Sequence, residues 1–247
     1  MNYRVIALFA LTGVGALSHA DKTSFGVGAA VWNYEPKGNL RYQGTNADLE
    51  DQLRLSDATK GFYWVSLEHP VPVVPNISLV RTSIDSSGSG VLTSPFNFGN
   101  TTFAASENIN TSLTLDQTDL ILYYKLSDKQ VRFDLGLDVK YVDGQASVRS
   151  ITTGATASTS FKGAIPMLYA NFVVKLPAGF YAGAEGSAIS YSGDSLSDLR
   201  VKFGYKSKAN IGVEGGYRRQ NLKLDGFDQF NSNLSLEGVY FGVFARF

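Results

Sequence analysis

The stretch Val131-Arg132-Phe133-Asp134-Leu135-Gly136-Leu137-Asp138-Val139-Lys140-Tyr141 decides the fold of this chain. Val131, Phe133, Leu135, Leu137, Val139 and Tyr141 share one parity, and Arg132, Asp134, Gly136, Asp138 and Lys140 the other. Successive side chains of a β-strand point to opposite faces, so this is a strand with one apolar face and one charged face. Strands of water-soluble sheets usually run for about five or six residues. An alternation sustained over the whole of 131–141 fits the roughly 9–11 tilted residues that cross a bilayer. The apolar face then meets lipid and the charged face lines an interior.

The same parity recurs along the chain. Leu120, Leu122, Tyr124 and Leu126 alternate with Asp119, Ile121, Tyr123 and Lys125; Leu199, Val201, Phe203 and Tyr205 alternate with Arg200, Lys202, Gly204 and Lys206. Leu168, Ala170, Phe172, Val174 and Leu176 form another apolar row, and Ile211, Val213 and Tyr217 another. Ten strands are expected, near 24–34, 60–69, 76–85, 113–126, 131–142, 162–176, 180–191, 199–206, 210–221 and 235–247. Eight remain if the weakly patterned 76–85 merges into a loop. Short turns at 69–76, 127–130, 177–179 and 207–209 alternate with long connections at 35–59, 86–112, 143–161, 192–198 and 222–234. Tight periplasmic turns and longer outside loops are the pattern of an antiparallel transmembrane β-barrel, all-β, filling one domain over 21–247.

Residues 1–20 are expected to be a signal peptide. Arg4 is the basic start, an apolar run follows, and Ser18-His19-Ala20 fits cleavage after Ala20. The expected location is the outer membrane of a Gram-negative cell. There is no cysteine, which excludes disulfides and thiolate metal sites. The 22 basic residues balance 22 acidic ones, so no net field favours nucleic acid as a partner.

In the last expected strand Val239, Phe241, Val243, Ala245 and Phe247 share one face, and Gly238, Tyr240, Gly242, Phe244 and Arg246 the other. Tyr240, Gly242, Ala245 and Phe247 resemble the signal read by the barrel assembly machinery, which makes that machinery an expected partner. Outer-membrane lipids and lipopolysaccharide are the others. Tyr124, Tyr141, Tyr205, Tyr217 and Phe247 fall near strand ends on the lipid face, where aromatic rings settle at headgroup level.

Three stretches, Asp134-Leu135-Gly136-Leu137, Ile165-Pro166-Met167-Leu168-Tyr169 and Gly183-Ala184-Glu185-Gly186-Ser187-Ala188-Ile189-Ser190-Tyr191, resemble a sequence-defined family of small Gram-negative outer-membrane proteins. The resemblance runs from about Asp21 onward and is weakest in the first two long loops. It implies the barrel and the location, and supplies no activity.

Catalytic chemistry finds little support. His69 is the single histidine after residue 20, and it sits at the proline-rich turn of the periplasmic end, away from an outer-rim site. Asp134 and Asp138 share a strand face but stand about 13 Å apart, too far for direct acid–base cooperation. Asp48-Leu49-Glu50-Asp51 lacks the ligand spacing of a calcium loop and reads as a solvated turn through Leu49 and Leu53. No enzyme activity, cofactor or metal is therefore expected.

The inward charges by parity include Glu68, Arg81, Asp119, Lys125, Arg132, Asp134, Asp138, Lys140, Glu185, Arg200, Lys202, Lys206, Glu214, Arg218 and Arg246. Asp134, Asp138, Lys140, Glu185, Lys202, Glu214 and Arg218 are the candidate lumen site. Glu185 should lie beside the Lys202–Lys206 row, and Glu214 beside Lys202 or Gly204. Such charges either pair into a closed plug or line a narrow water path. A structural barrel or a minor passive small-solute pore is the leading reading. Adhesion or envelope contact through loops 35–59 and 86–112 is the alternative, and an outer-membrane hydrolase a third. Phe96, Phe98 and Phe103 are expected to serve their loop's own packing.

Overall fold

A computed structural model describes residues 22–42, 47–71, 73–227 and 230–247. The expected signal peptide, its cleavage after Ala20, and Pro72 lie outside the described residues. Ten long strands form the wall: β1 (Ser24–Tyr42), β3 (Ala58–Glu68), β4 (Asn76–Val91), β7 (Asn108–Asp128), β8 (Val131–Ser150), β9 (Thr156–Lys175), β10 (Phe180–Tyr191), β11 (Asp194–Lys206), β12 (Ile211–Phe227) and β13 (Phe230–Arg246). Short strands β2 (Ala47–Asp48), β5 (Phe96–Phe98) and β6 (Thr101–Phe103) belong to two connections. Each wall strand runs antiparallel to its neighbour in the chain, and β13 returns to β1 from Gly26↔Arg246 to Tyr42↔Phe230, closing the barrel. Residues 76–85 are part of β4, a full wall member, so the count is ten and not eight.

The wall is taller than its apolar pattern. Most of the expected long loops are strand: β8 and β9 meet at 151–155, and β10 and β11 at Ser192-Gly193. Those two residues have φ of 53° and 95°, the doubly positive geometry that matches the twist of a tight hairpin. Among the described residues, long connections remain at 47–57 and 92–107. Above the bilayer the polarity of the wall reverses. In β7 the outward Leu120, Leu122 and Leu126 give way to inward Ile109, Leu113 and Leu115; in β8 inward Val142, Ala146 and Val148 replace outward Leu135 to Tyr141. Polar residues face out beside them, so the extension has the pattern of a barrel in water, which reads as loop if lipid-facing apolar rows alone are sought.

The outward belt includes Val31, Tyr63, Leu137, Phe172, Phe203 and Phe241, all exposed. Outward ion pairs mark its upper limit, Arg81–Asp116 at 2.8 Å and Lys162–Asp143 at 2.8 Å, and the exposed pair Lys60–Asp85 at 2.9 Å lies near them. Arg81 therefore does not face the lumen, contrary to the expected parity. Val80, Thr82 and Ile84 are the buried inward row of β4, and Arg81 also donates to Thr118 Oγ1 at 2.9 Å. Tyr141 and Tyr217 stand exposed near the upper limit, and Tyr205 and Phe247 at the short-turn end. Tyr124 donates its hydroxyl to the Val73 carbonyl at 2.6 Å.

The closing strand places its signal residues as the alternation requires. Tyr240 is buried inside, while Ala245 sits in the outward row between Val27 and Ile211. Phe247 and Phe25 exchange backbone hydrogen bonds at 2.7 and 3.0 Å. Gly242 lies so close to β1 that an added Cβ would come 2.6 Å from Ala30 Cβ.

Candidate functional site in the barrel lumen

The lumen is filled in three storeys. The lowest surrounds a cavity of about 550 Å³ that reaches the 176–180 turn. Glu68 accepts from Lys125 Nζ at 2.8 Å and Tyr123 Oη at 3.2 Å, and pairs with Arg132 at 2.9 Å. Arg132 continues to Asp134 at 2.7 Å, which also accepts from Asn171 Nδ2 at 2.8 Å. Glu185 pairs with Arg200, directly opposite it in register, and with Lys202 at 2.5 Å, the near end of the expected Lys202–Lys206 row. Glu214 stands opposite Gly204, as expected, and the hydroxyls of Tyr181 and Tyr240 donate to it at 2.8 and 2.9 Å. The ring of Tyr181 lies where a Cβ on residue 204 would come within 2.4 Å, so this glycine makes room for a large neighbour.

Asp198 is the hub of the middle storey. Arg218 grips it with two bonds, Nη2–Oδ2 at 2.7 Å and Nε–Oδ1 at 3.0 Å. Lys140 lies 3.2 Å from the same carboxylate, and Gln220 Nε2 donates to it at 2.8 Å. Lys140 also pairs with Asp119 at 2.6 Å. Arg218 reaches across to Thr82 Oγ1 at 3.1 Å, with its guanidinium 4.8 Å from the Trp32 ring centre and 4.9 Å from that of Phe62. Asp138 is buried here beside Asp119 and Lys140. Asp134 and Asp138 thus join different storeys, as their separation along the strand implied. The seven candidate lumen residues all face inward, but Asp198, Asp119, Gln117 and Gln220 complete the network and were not among them. Asp198 was readable: stepping back by two from inward Arg200 lands on it. It was hidden because the expected strand began at residue 199.

The upper storey is apolar. Tyr34, Ile84, Leu115 and Leu236 are buried from the wall, and Leu49, Leu53, Phe96, Phe98 and Phe103 are buried from the two long connections. The Asp48 carboxylate accepts the N–H groups of Glu50 at 2.9 Å and Asp51 at 2.7 Å, forming a turn that aims Leu49 and Leu53 inward. This acidic stretch is a structural turn. Phe96 stacks on Phe103 with ring centres 5.3 Å apart, the loop packing expected for these aromatics. Glu107 accepts from the Ala104 N–H at 2.9 Å and from Thr153 Oγ1 at 3.1 Å, tying the cap to the β8–β9 turn. Hydrogen bonds from Ser150 and the Ala104 backbone hold its carboxyl below the ordinary value of 4.5. A depressed folded value stabilises the cap above about pH 4.5, and that contribution fades as pH falls through the folded value. The protection of the Ala104 amide, its exchange scaled by the intrinsic rate at each pH, should therefore fall in acid, and Glu107→Gln should remove this pH dependence.

His69 lies at the short-turn end, where the sequence puts it, with Nε2 3.1 Å from the Pro75 carbonyl oxygen. The buried Asp198 is bonded on all sides by Arg218, Lys140 and Gln220, which hold its charge in place.

A scan against protein-family models matches none, and a search of curated proteins returns no significant relative. Solved structures do match. The outer membrane protease OmpT from Escherichia coli aligns with a TM-score of 0.54 and 11% sequence identity, over 91% of this chain and 97% of that one. The chain folds as an outer-membrane β-barrel. The translocator domain of the autotransporter NalP from Neisseria meningitidis aligns at TM-score 0.46 and 10% identity, over 94% and 91% of the two chains. Ail, the attachment invasion locus protein of Yersinia pestis, gives 0.40 and 10%, over 92% and 99%. At such identities the likeness is one of architecture, and this architecture hosts unrelated activities.

Proposed function

We propose that this protein is a non-catalytic, structural barrel of the Gram-negative outer membrane, with a lumen closed to solute flow. It is exported with a signal peptide cleaved after Ala20, and the barrel assembly machinery inserts it through the β13 signal. It belongs, on this reading, with the small outer-membrane proteins its sequence resembles. The observation that carries the closed lumen is the stack of an ion-paired storey beneath an apolar cap. An aqueous path would have to break Lys140–Asp198–Arg218 and then cross Leu49, Leu53 and the three phenylalanines.

Planar-bilayer recording of the refolded protein tests this. Silence at all voltages is expected. Stable steps altered by Glu214→Gln or Lys202→Met would overturn the closed barrel and establish a lumen path. The barrel itself should migrate faster on gels before heating than after, and loss of that shift would remove the membrane reading.

A second reading, contact through the outer rim, is favoured by Val91, Ile151 and Tyr191, which are 54%, 57% and 72% exposed there. Deleting 94–103 would also unseal the cap, so Tyr191→Ser is the cleaner probe. An unchanged surface interaction in that variant would count against rim contact at this site.

A further inference from the structure

The barrel is closed at bilayer level, but its outer wall has an open edge. β9 pairs with β8 from Arg149↔Thr156 to Val131↔Val174, whereas its pairing with β10 ends at Ala188↔Leu168. The cause is local. The Lys175 N–H donates to Gln130 on the β8 side, and the Leu176 N–H donates to Phe180 on the β10 side. Hydrogen-bonding direction alternates along a strand, so odd residues of β9 bond β8 and even residues face β10. Residue 166 is even, and it is proline. Its missing N–H falls where the bond to Ser190 would form, and the ladder stops there.

Beyond Pro166 the even residues 156, 158, 160, 162 and 164 direct N–H and C=O groups away from β8. Among the described residues no backbone bond beyond the β8 ladder reaches them. The β10–β11 hairpin has already turned at Ser192-Gly193, while β12 continues to Phe227. This leaves a notch between β9 and β12 about three strand spacings wide, roughly 14 Å. The inner face of the open strand carries Ala157, Phe161 and Ile165, partly buried against the core, and its outer face carries Ser158, Ser160 and Lys162. An unpaired edge is a template for another strand.

A second copy cannot fill it in the same membrane. An axis along the membrane normal keeps both β9 strands running in the same direction, and tilts of about 35–45° cross them at roughly 70–90°. Neither direction nor angle suits an antiparallel ladder.

We propose that the β9 edge from Thr156 to Ala164 is a docking site for an extended segment of another polypeptide on the outer side of the membrane. The segment adds antiparallel to β9, with alternate apolar side chains over Ala157, Phe161 and Ile165 and polar ones facing water. This holds whether or not the lumen conducts.

Residue-resolved amide exchange on the refolded protein in micelles, with a capped ten-residue peptide of alternating valine and threonine as probe, tests it. In the free protein the amides of 158, 160, 162 and 164 should exchange at least roughly tenfold faster than those of 157, 159, 161 and 163. The peptide should slow the even set saturably and leave the odd set unchanged. Ser160→Pro removes one edge donor without touching the β8 ladder, and should abolish that protection while the heat-dependent gel shift persists. Four outcomes would overturn the proposal: even amides already protected without peptide, including by self-association; protection by lipopolysaccharide alone; no protection at millimolar peptide; or protection that survives Ser160→Pro.

Discussion

Asp198→Ala should lower the stability of the refolded barrel by about 3–5 kcal/mol, the cost of leaving buried charges without their partner. Arg218 and Lys140 are each 1% exposed at the side chain and share this carboxylate, which is itself only 11% exposed. Removing it strands Arg218 and leaves Lys140 with Asp119 at 2.6 Å. Gln220 loses an acceptor as well. Urea titration in lipid vesicles, followed through the fluorescence of the two tryptophans, of which Trp32 lies under the Arg218 guanidinium, reads the change. The exposed pair Lys60–Asp85, with side chains 38% and 50% exposed, supplies the contrast. Asp85→Ala should cost no more than about 1 kcal/mol, because water screens an exposed pair. Equal losses from the two variants would mean that the network is not the buried support described above.

Leu137→Arg should cost about 2–4 kcal/mol in the same titration, the range for a cation at the bilayer midplane on the lipid face. Leu137 is 49% exposed on the outward row of β8, with Leu135 and Val139 to either side. Ser147 lies on the same strand and the same outward parity, above the Lys162–Asp143 pair that marks the end of the belt. Ser147→Arg should stay within about 0.5 kcal/mol, because its surroundings are aqueous. A strand that lost similar stability at both positions would have no bilayer boundary between them. Taken together, the pair measures where the lipid ends.

The two experiments probe different kinds of information in the chain. That Leu137 faces lipid follows from 131–141 alone, since a bilayer demands one apolar row over a fixed length. That Asp198 is the lumen hub does not. Its partners come from β8 and β12, and the Gln117–Gln220 and Thr82–Arg218 bonds join residues 103 and 136 positions apart. Parity gives the side of the wall a residue faces, but not which residue faces it across the lumen. Arg81 shows how fragile parity is in a weak strand. With few apolar outward residues in β4 to anchor the phase, the alternation was set one step off.

The outer half was the least legible part. There the wall stands in water, and inward Leu113, Leu115 and Val148 carry the apolar row on the opposite parity from the membrane segment. Glycine, serine and threonine between them resemble loop, and only pairing with a neighbouring strand makes them wall. The apolar cap has the same origin, since Leu49 and Phe103 are far apart in sequence and become a core only when both connections fold into the barrel mouth.

By itself, the sequence determined the class of fold, the strands outside β4, their lipid-facing rows and the strand that closes the ring. These are local consequences of a period of two over a bilayer's thickness. The tertiary structure alone decided the height of the wall, the seal across the lumen and the open edge beyond Pro166. Each of these depends on which backbone or side chain meets which across space, and a strand's own alternation carries no record of its partner.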